Sequence, residues 1–305
     1  MRDVAQRVGS ALGSGWSRRT PPQTLAVVVA LALLGAGVFH AVIFVLDSEP
    51  WSGPTGWRKP ITFGLSFAAS LLSFAWIASY VPLRRGAQWW ILGALAVASA
   101  AEYALITLQA WRGVPSHFNV GTGFDAAVWI AMGIGIGVIV LATVGLAVAT
   151  FRRVDASPST ALALRAGLAL LLVGYALGGA IIGNGGGVSE SPTGDESIFG
   201  AAGELKVPHG LGLHALQALP LLAGLLALGV ATEGTRIRLV WLATAGWSLL
   251  LGAQILQAVE GERGYRLGVV AGGLVFLAAL ALTAALALTL RALQPHAPSR
   301  PVALD

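Results

Sequence analysis

The hydrophobic pattern of the chain consists of long apolar runs separated by short polar segments. Each run has roughly 18 residues or more, which is enough for a helix to cross the hydrocarbon core of a bilayer. We therefore predict eight membrane-spanning helices, at 23–46, 59–82, 87–111, 124–151, 160–183, 208–231, 236–259 and 266–291. The predicted fold class is all-α, a polytopic transmembrane helical bundle; a transmembrane β-barrel would show short segments of alternating hydrophobicity instead.

The same pattern divides the chain into three regions. Residues 1–22 place apolar side chains on one helical face next to arginines, which predicts an amphipathic segment on the cytoplasmic membrane surface. Residues 23–291 form the transmembrane domain, whose one long loop, 184–207, is rich in glycine, serine and acidic residues. Residues 292–305 form a cytoplasmic tail.

Composition supports a membrane protein and narrows its chemistry. Of 305 residues, 56% are hydrophobic and 11% are charged, well below the roughly 25% charged residues of soluble domains. The chain has no cysteine, which excludes disulfides, thiolate metal sites and iron–sulfur clusters. The net charge of +5 is explained by basic residues beside the spans, so we expect no nucleic-acid partner.

The distribution of lysine and arginine predicts the orientation. With the N-terminus inside, thirteen of the nineteen basic residues flank the cytoplasmic side and six the outer side, as the positive-inside rule requires. The inner set is Arg2, Arg7, Arg18, Arg19, Arg84, Arg85, Arg152, Arg153, Arg165, Arg236, Arg238, Arg291 and Arg300; the outer set is Arg58, Lys59, Arg112, Lys206, Arg263 and Arg266. We predict an N-in, C-in, multi-pass protein of a bacterial-type cytoplasmic membrane.

Local motifs mark helix starts and helix contacts. Thr20 with Gln23 resembles a capping box at the start of the first span, and Thr122 with Asp125 resembles one at the start of the fourth. Three small-residue motifs offer faces for close helix packing: Gly133-x-x-x-Gly137, Gly174-x-x-x-Gly178 and Gly268-x-x-x-Gly272. No sequence repeat is evident between the two halves, which argues against an inverted-repeat transporter.

Several polar residues lie deep inside the predicted spans. At ~1.5 Å per residue, His40 and His214 lie about 9 Å, and Glu102 and Gln217 about 14 Å, from the outer helix ends. Ionisable groups in a membrane are costly and usually face a cavity or one another. We expect these four residues to converge on one outward-facing cavity. His209 and His214 point about 140° apart, so we expect His209 at the outer mouth and His214 buried with Gln217.

These positions define the predicted site. The predicted cofactor-binding residues are His40, His214, Gln217 and Glu102, and Glu102 and His214 are also the catalytic candidates. The candidate metal ligands are His40, His117, His209 and His214. The predicted rim for an anion or substrate is Arg58, Lys59 and Arg112. Supporting polar residues are Gln109, Asn119, Asp125, Gln254, Gln257 and Glu260.

Structural alternatives exist for most of these residues. A histidine inside a span can simply hydrogen-bond a neighbouring helix, and Asp125 can serve only as a helix cap. Arg112 is expected to be an interfacial anchor beside Trp111. Arg58 and Lys59 can bind an anionic group or pair with Glu102 or Glu260.

The histidines favour a membrane oxidoreductase that holds haem b or a transition metal, because histidine is the remaining strong ligand in a chain without cysteine. One alternative is a transporter of a small solute, an ion or protons, in which the same polar layer forms the pathway. Another is an enzyme acting on a lipid or quinone, or a sensor subunit. The expected partners are the lipid bilayer and either a quinone or another membrane protein. The sequence does not decide whether the protein is an enzyme.

Overall fold

The computed structural model describes residues 19–47, 51, 55–185, 198–199, 202–263 and 266–293. Within these residues, eight helices are long and apolar enough to cross a membrane. They are α1 (Pro21–Asp47), α2 (Arg58–Ala78), α3 (Arg85–Trp111), α4 (Gly123–Arg152), α5 (Pro158–Gly185), α6 (Lys206–Leu228), α7 (Glu233–Val259) and α8 (Val269–Ala292). The all-α fold and the number of spans are confirmed, and the chain is a multi-pass, membrane-type helical protein.

Two local features were not predicted. Helix α3 contains a π-helical stretch, Trp89–Gly93. In the described part of the long loop, β1 (Ile198–Phe199) pairs antiparallel with β2 (Gly203–Glu204). The amphipathic segment predicted for 1–22 and the tail predicted for 292–305 lie almost entirely outside the described residues.

One of the two backbone hydrogen bonds of the predicted capping box at the start of α1 is present. The Gln23 side-chain carbonyl accepts a hydrogen bond from the backbone N–H of Thr20, at 2.8 Å. The Gln23 amide also donates to the backbone carbonyl of Ala75 in α2. The buried Gln23 side chain thus caps the start of α1 and hydrogen-bonds it to α2.

The helices pack in two four-helix units, α1–α4 and α5–α8. In each unit the first helix pairs most closely with the second and the third with the fourth, while the second and the first also contact the third. The units meet mainly where α4 contacts α5 and where α2 contacts α6.

A glycine-to-glycine contact holds together the first two helices of each unit. An added Cβ on Gly64 would lie 2.8 Å from the Gly37 Cα, and one on Gly212 would lie 2.5 Å from the Gly174 Cα. The Gly174-x-x-x-Gly178 prediction is confirmed, because Gly174 contacts α6 backbone and Gly178 contacts the His209 ring.

The other two small-residue motifs do not mark helix contacts here. A Cβ on Gly133, Gly137 or Gly268 would meet no atom within 4 Å, and one on Gly272 would meet only Leu267 of its own segment. These predictions are wrong because the spacing places the glycines on faces that no described helix covers.

The paired glycines occupy the same positions in both units. Gly37 and Gly174 are each the seventeenth residue of their helix, and Gly64 and Gly212 are each the seventh. Pro60 and Pro208 are each the third residue of α2 and α6. Helices α3 and α7 have the same length, 27 residues, and start 148 residues apart, the same separation as Gly64 and Gly212.

The ends of α3 and α7 repeat a second motif. Leu-Gln-Ala followed three residues later by glycine occurs at 108–113 and again at 256–261. Both glycines have positive φ, 65° at Gly113 and 70° at Gly261. In each copy, the N–H of the residue after the glycine donates a hydrogen bond to the backbone carbonyl of the glutamine. These bonds join Val114 to Gln109 and Glu262 to Gln257. This is the Schellman geometry, which glycine at positive φ allows.

The two units therefore share equivalent contact and cap positions, a recurrence that the sequence analysis did not recognise. The recurrence is inconspicuous in the sequence because it is confined to contact and cap positions, while the exposed apolar positions vary. Trp76 and Gly224 are equivalent positions, and the Trp76 ring tip lies 4.0 Å from a Cβ placed on Gly224. The two units thus contact each other at equivalent positions of α2 and α6.

Candidate functional site

The deepest ionisable residue in the described part of the chain is Glu102 in α3. Its side chain is 1% exposed, and neither carboxylate oxygen has a hydrogen-bond partner among the described residues. One oxygen lies 3.4 Å from the point where a Cβ on Gly135 of α4 would stand. The absent side chain of Gly135 thus provides the space for the carboxyl group, about 14 Å from the end of α3 at ~1.5 Å per residue.

An apolar layer lies beside Glu102, toward the end of the bundle where α1 ends and α2 begins (the His40 end). The layer consists of Ile106, Val128 and Met132, which form one buried cluster. Their exposed fractions are 0%, 5% and 1%. Ile106 is one helical turn from Glu102, so these side chains separate the carboxyl group from the polar groups nearer the helix ends.

A polar clasp of Gln109, Arg112, Thr122 and Asp125 lies beyond the layer. Asp125 accepts hydrogen bonds from Gln109 at 2.9 Å and from Thr122 at 2.6 Å, and it forms an ion pair with Arg112. The Arg112 guanidinium also donates a hydrogen bond to the side-chain amide oxygen of Gln109. Gln109 and Asp125 are buried.

The clasp revises two predictions. The Thr122–Asp125 cap is confirmed, since the Thr122 hydroxyl accepts from the Asp125 N–H at 3.1 Å. Arg112 is not simply an interfacial anchor beside Trp111, because its guanidinium closes the clasp and lies 4.7 Å above the Phe124 ring. The clasp joins the end of α3 to the start of α4.

His40 is buried, as predicted, and both of its ring nitrogens have partners. Nδ1 lies 2.8 Å from the Ala36 carbonyl oxygen and 3.0 Å from the Tyr103 hydroxyl. Because a carbonyl only accepts, Nδ1 carries the proton. Nε2 then accepts a hydrogen bond from the Trp111 indole at 3.1 Å. Trp57 packs against the same ring.

This bonding leaves His40 no free lone pair for a metal or haem iron. Ligation requires an unprotonated nitrogen, and the only such nitrogen is bound to Trp111. Across the described ranges, no three His, Asp or Glu side chains are grouped so that they could hold a metal ion. The predicted metal or haem site therefore gains no support from the geometry.

The burial of the two histidines of α6 is the reverse of the prediction. His209 donates from Nδ1 to the Gly174 carbonyl at 2.7 Å, within the contact between α5 and α6. His214 is exposed, and Gln217 is half-buried with its carbonyl oxygen unpaired. The two imidazoles do point to different faces, but the expectation that His214 is the buried one is wrong. The close contact between Gly212 and Gly174 places the helix face that carries His209 against α5.

His117 lies in the loop between α3 and α4, with its ring between those of Phe63 and Trp129. Ser116 is hydrogen-bonded to its Nδ1 at 2.9 Å. Desolvation, aided by the positive charge of Lys59, lowers the pKa of His117 from 6.5 to about 3. The next residue, Phe118, has a positive φ of 58°, which is unusual for a bulky side chain. The loop is thus held by its aromatic packing.

We expect acid to weaken the fold through His117. The folded-state pKa is below the unfolded one, so the unfolded chain binds the extra proton and stability falls as pH drops from 6.5 toward 3. The His117 ring should show no titration in NMR spectra recorded through neutral pH. Thermal unfolding of His117→Gln should lose part of the acid sensitivity of the wild type; identical acid sensitivity would contradict this assignment.

The remaining predicted polar residues form hydrogen bonds within the protein. Asn119 donates to the Pro115 carbonyl and accepts from the Gly121 N–H, which shapes the loop. Gln254 donates to Gln257 at 2.9 Å, confirming that they share a face.

The cations predicted as a rim do not neutralise Glu102. Arg58 and Lys59 are half-buried at the start of α2, and Lys59 acts electrostatically on His117. Glu102 has no hydrogen-bond partner among the described side chains, and Glu260 is exposed at the end of α7. Of the alternatives considered for these cations, pairing with Glu102 is therefore not observed.

Some important residues were missed from the sequence. Tyr103, Trp57 and Trp111 fix His40, yet aromatic residues near helix ends are expected in any membrane protein. Gly135 accommodates Glu102, but its only sequence signal is a glycine among apolar residues. These roles depend on which helices are neighbours.

Comparison with models of protein families, with curated proteins and with solved structures finds no match for this chain. The class that the fold defines is a multi-pass α-helical membrane-type protein with two four-helix units of matching layout, called the first and second repeats below. The site is a buried carboxyl group in the first repeat.

Proposed function

We propose that the protein is a membrane transporter that carries protons, in which Glu102 binds and releases the proton. The observation that carries the proposal is the burial of a carboxyl group without any hydrogen-bond donor or cation among the described residues. An ionised carboxylate in such a place is strongly disfavoured, so the resting form is the neutral acid. A group that must gain or lose a proton to change its charge state suits proton transport.

The surroundings of Glu102 favour a proton over a metal ion. A metal site needs several ligands, and the residues next to the carboxyl group are Gly135 and the apolar layer. The hydrogen bonds of His40 support the same choice, because they occupy both imidazole nitrogens within the protein. These observations favour the transporter over the haem- or metal-linked oxidoreductase.

The orientation follows from the charge distribution. We propose that both termini face the cytoplasm of a bacterial-type membrane and that the His40 end faces outward. The polar clasp then stands on the outer side of Glu102.

Infrared spectroscopy of the reconstituted protein tests the protonation state of Glu102. We expect the wild type to show the carbonyl band of a protonated carboxylic acid at neutral pH. Glu102→Gln removes the acid but keeps the shape, so that band should disappear. Glu262→Gln, which alters an exposed carboxylate, is the matched control and should retain it. An unchanged band in Glu102→Gln, or no such band in the wild type, would overturn the proposal.

A further inference from the structure

We infer that Ile106, Val128 and Met132 form a hydrophobic gate that controls proton access to Glu102 from the polar clasp. The inference rests on the proposed function of Glu102 and adds how that site is regulated. Hydrophobic constrictions gate a pathway by excluding water, and proton transfer needs a connected chain of polar groups or water.

The order of residues along one helix contact carries the inference. Gln109, Ile106 and Glu102 follow one another at helical spacing on the face of α3 that meets α4. From α4, Asp125 joins Gln109 in the clasp, while Val128 and Met132 cluster with Ile106. The polar clasp and the carboxyl group are therefore separated by three apolar side chains, each at most 5% exposed.

The second repeat shows that one position of this layer can be polar when it is half-buried. Residues 148 positions later are equivalent in α7, so Gln254 stands where α3 has Ile106. Gln254 is tolerated there and bonds to Gln257, the equivalent of Gln109. At the position of Glu102, α7 has Leu250.

The two repeats thus reverse the polarity of the two positions. The repeat with the deep carboxyl group has an apolar residue above it, and the repeat without the carboxyl group has a glutamine. The apolar residue is therefore present only in the repeat that has a protonatable group next to it. This correlation argues for a gate rather than for general core packing.

Hydrogen–deuterium exchange of the Glu102 carboxylic acid tests the gate. After transfer into D2O, the shift of its infrared band reports how fast solvent protons reach it. Ile106→Gln introduces the residue that the second repeat already accommodates. We expect exchange to become faster by on the order of tenfold or more, since a polar side chain allows the layer to hydrate. Met132→Gln, a change of similar shape, should do the same and serves if Ile106→Gln folds poorly.

Two control variants make the result specific. Ile106→Val keeps the layer apolar, and Leu108→Gln adds an amide at a partly exposed position of α3 outside the layer. Both should exchange at the wild-type rate. If the acid band is present but every variant exchanges equally, the gate is wrong while the function of Glu102 stands. If the wild type has no acid band, the proposed function itself fails.

Discussion

Gly212→Val should destabilise the second repeat so strongly that little folded protein accumulates. A Cβ at this position would lie 2.5 Å from the Gly174 Cα and 3.0 Å from the Leu170 carbonyl oxygen, both backbone atoms. Neither can move unless α5 and α6 separate. Overpacking of a well-packed core costs about 1–3 kcal/mol and occasionally more, and a clash between two backbones belongs at the upper end. Thermal unfolding in detergent measures the effect.

Gly210→Val is the matched control in the same helix. A Cβ on Gly210 would meet no atom within 4 Å, so this variant makes the same change of residue without the clash. It should unfold at or above the wild-type temperature, because valine is a better helix former than glycine. Equal loss of stability in both variants would refute the close contact between α5 and α6.

Glu102→Leu should make the protein more stable. The carboxyl group has no described hydrogen-bond partner to lose, and burying an unpaired polar group costs roughly 1–3 kcal/mol in proteins. Leucine is also the residue at the equivalent position of the second repeat, Leu250. The melting temperature should therefore rise.

Gln109→Leu is the contrasting variant in the same helix. Gln109 is also buried, but it is bonded to Asp125 and Arg112, so its loss leaves polar partners unsatisfied. This variant should lose roughly 1–3 kcal/mol of stability. If Glu102→Leu destabilises the protein to the same degree, Glu102 has a structural partner and the proposed role fails.

The sequence was sufficient for the span pattern because each span carries its own apolar length and helix signals. The burial of His40, Glu102 and Gln109 was also predictable, since polar residues deep in a span rarely face lipid. Which helix each residue faces was not predictable. His209 and His214 show this: their angular separation followed from helix geometry, but the face that meets α5 is set by Gly174 and Gly212.

The correspondence between the two repeats was not recognised from the sequence for a related reason. The features that the two repeats share are the paired glycines and the helix ends, which together involve few positions. The apolar residues between them satisfy the membrane in many combinations, so they carry no pairwise signal. Once the helix contacts are known, the equivalent positions become evident, and the pairing of Glu102 with Leu250 identifies the first repeat as the one with the deep acid.

Proton flux across proteoliposomes tests the central claim most directly. Vesicles containing the wild-type protein and a trapped pH-sensitive dye receive an imposed pH gradient, with a potassium ionophore to balance charge. The account predicts proton entry above that of protein-free vesicles in the wild type and in Glu262→Gln, and flux equal to that of protein-free vesicles in Glu102→Gln and Glu102→Leu. Equal flux in the wild type and Glu102→Gln, or no flux above protein-free vesicles in the wild type, would contradict it.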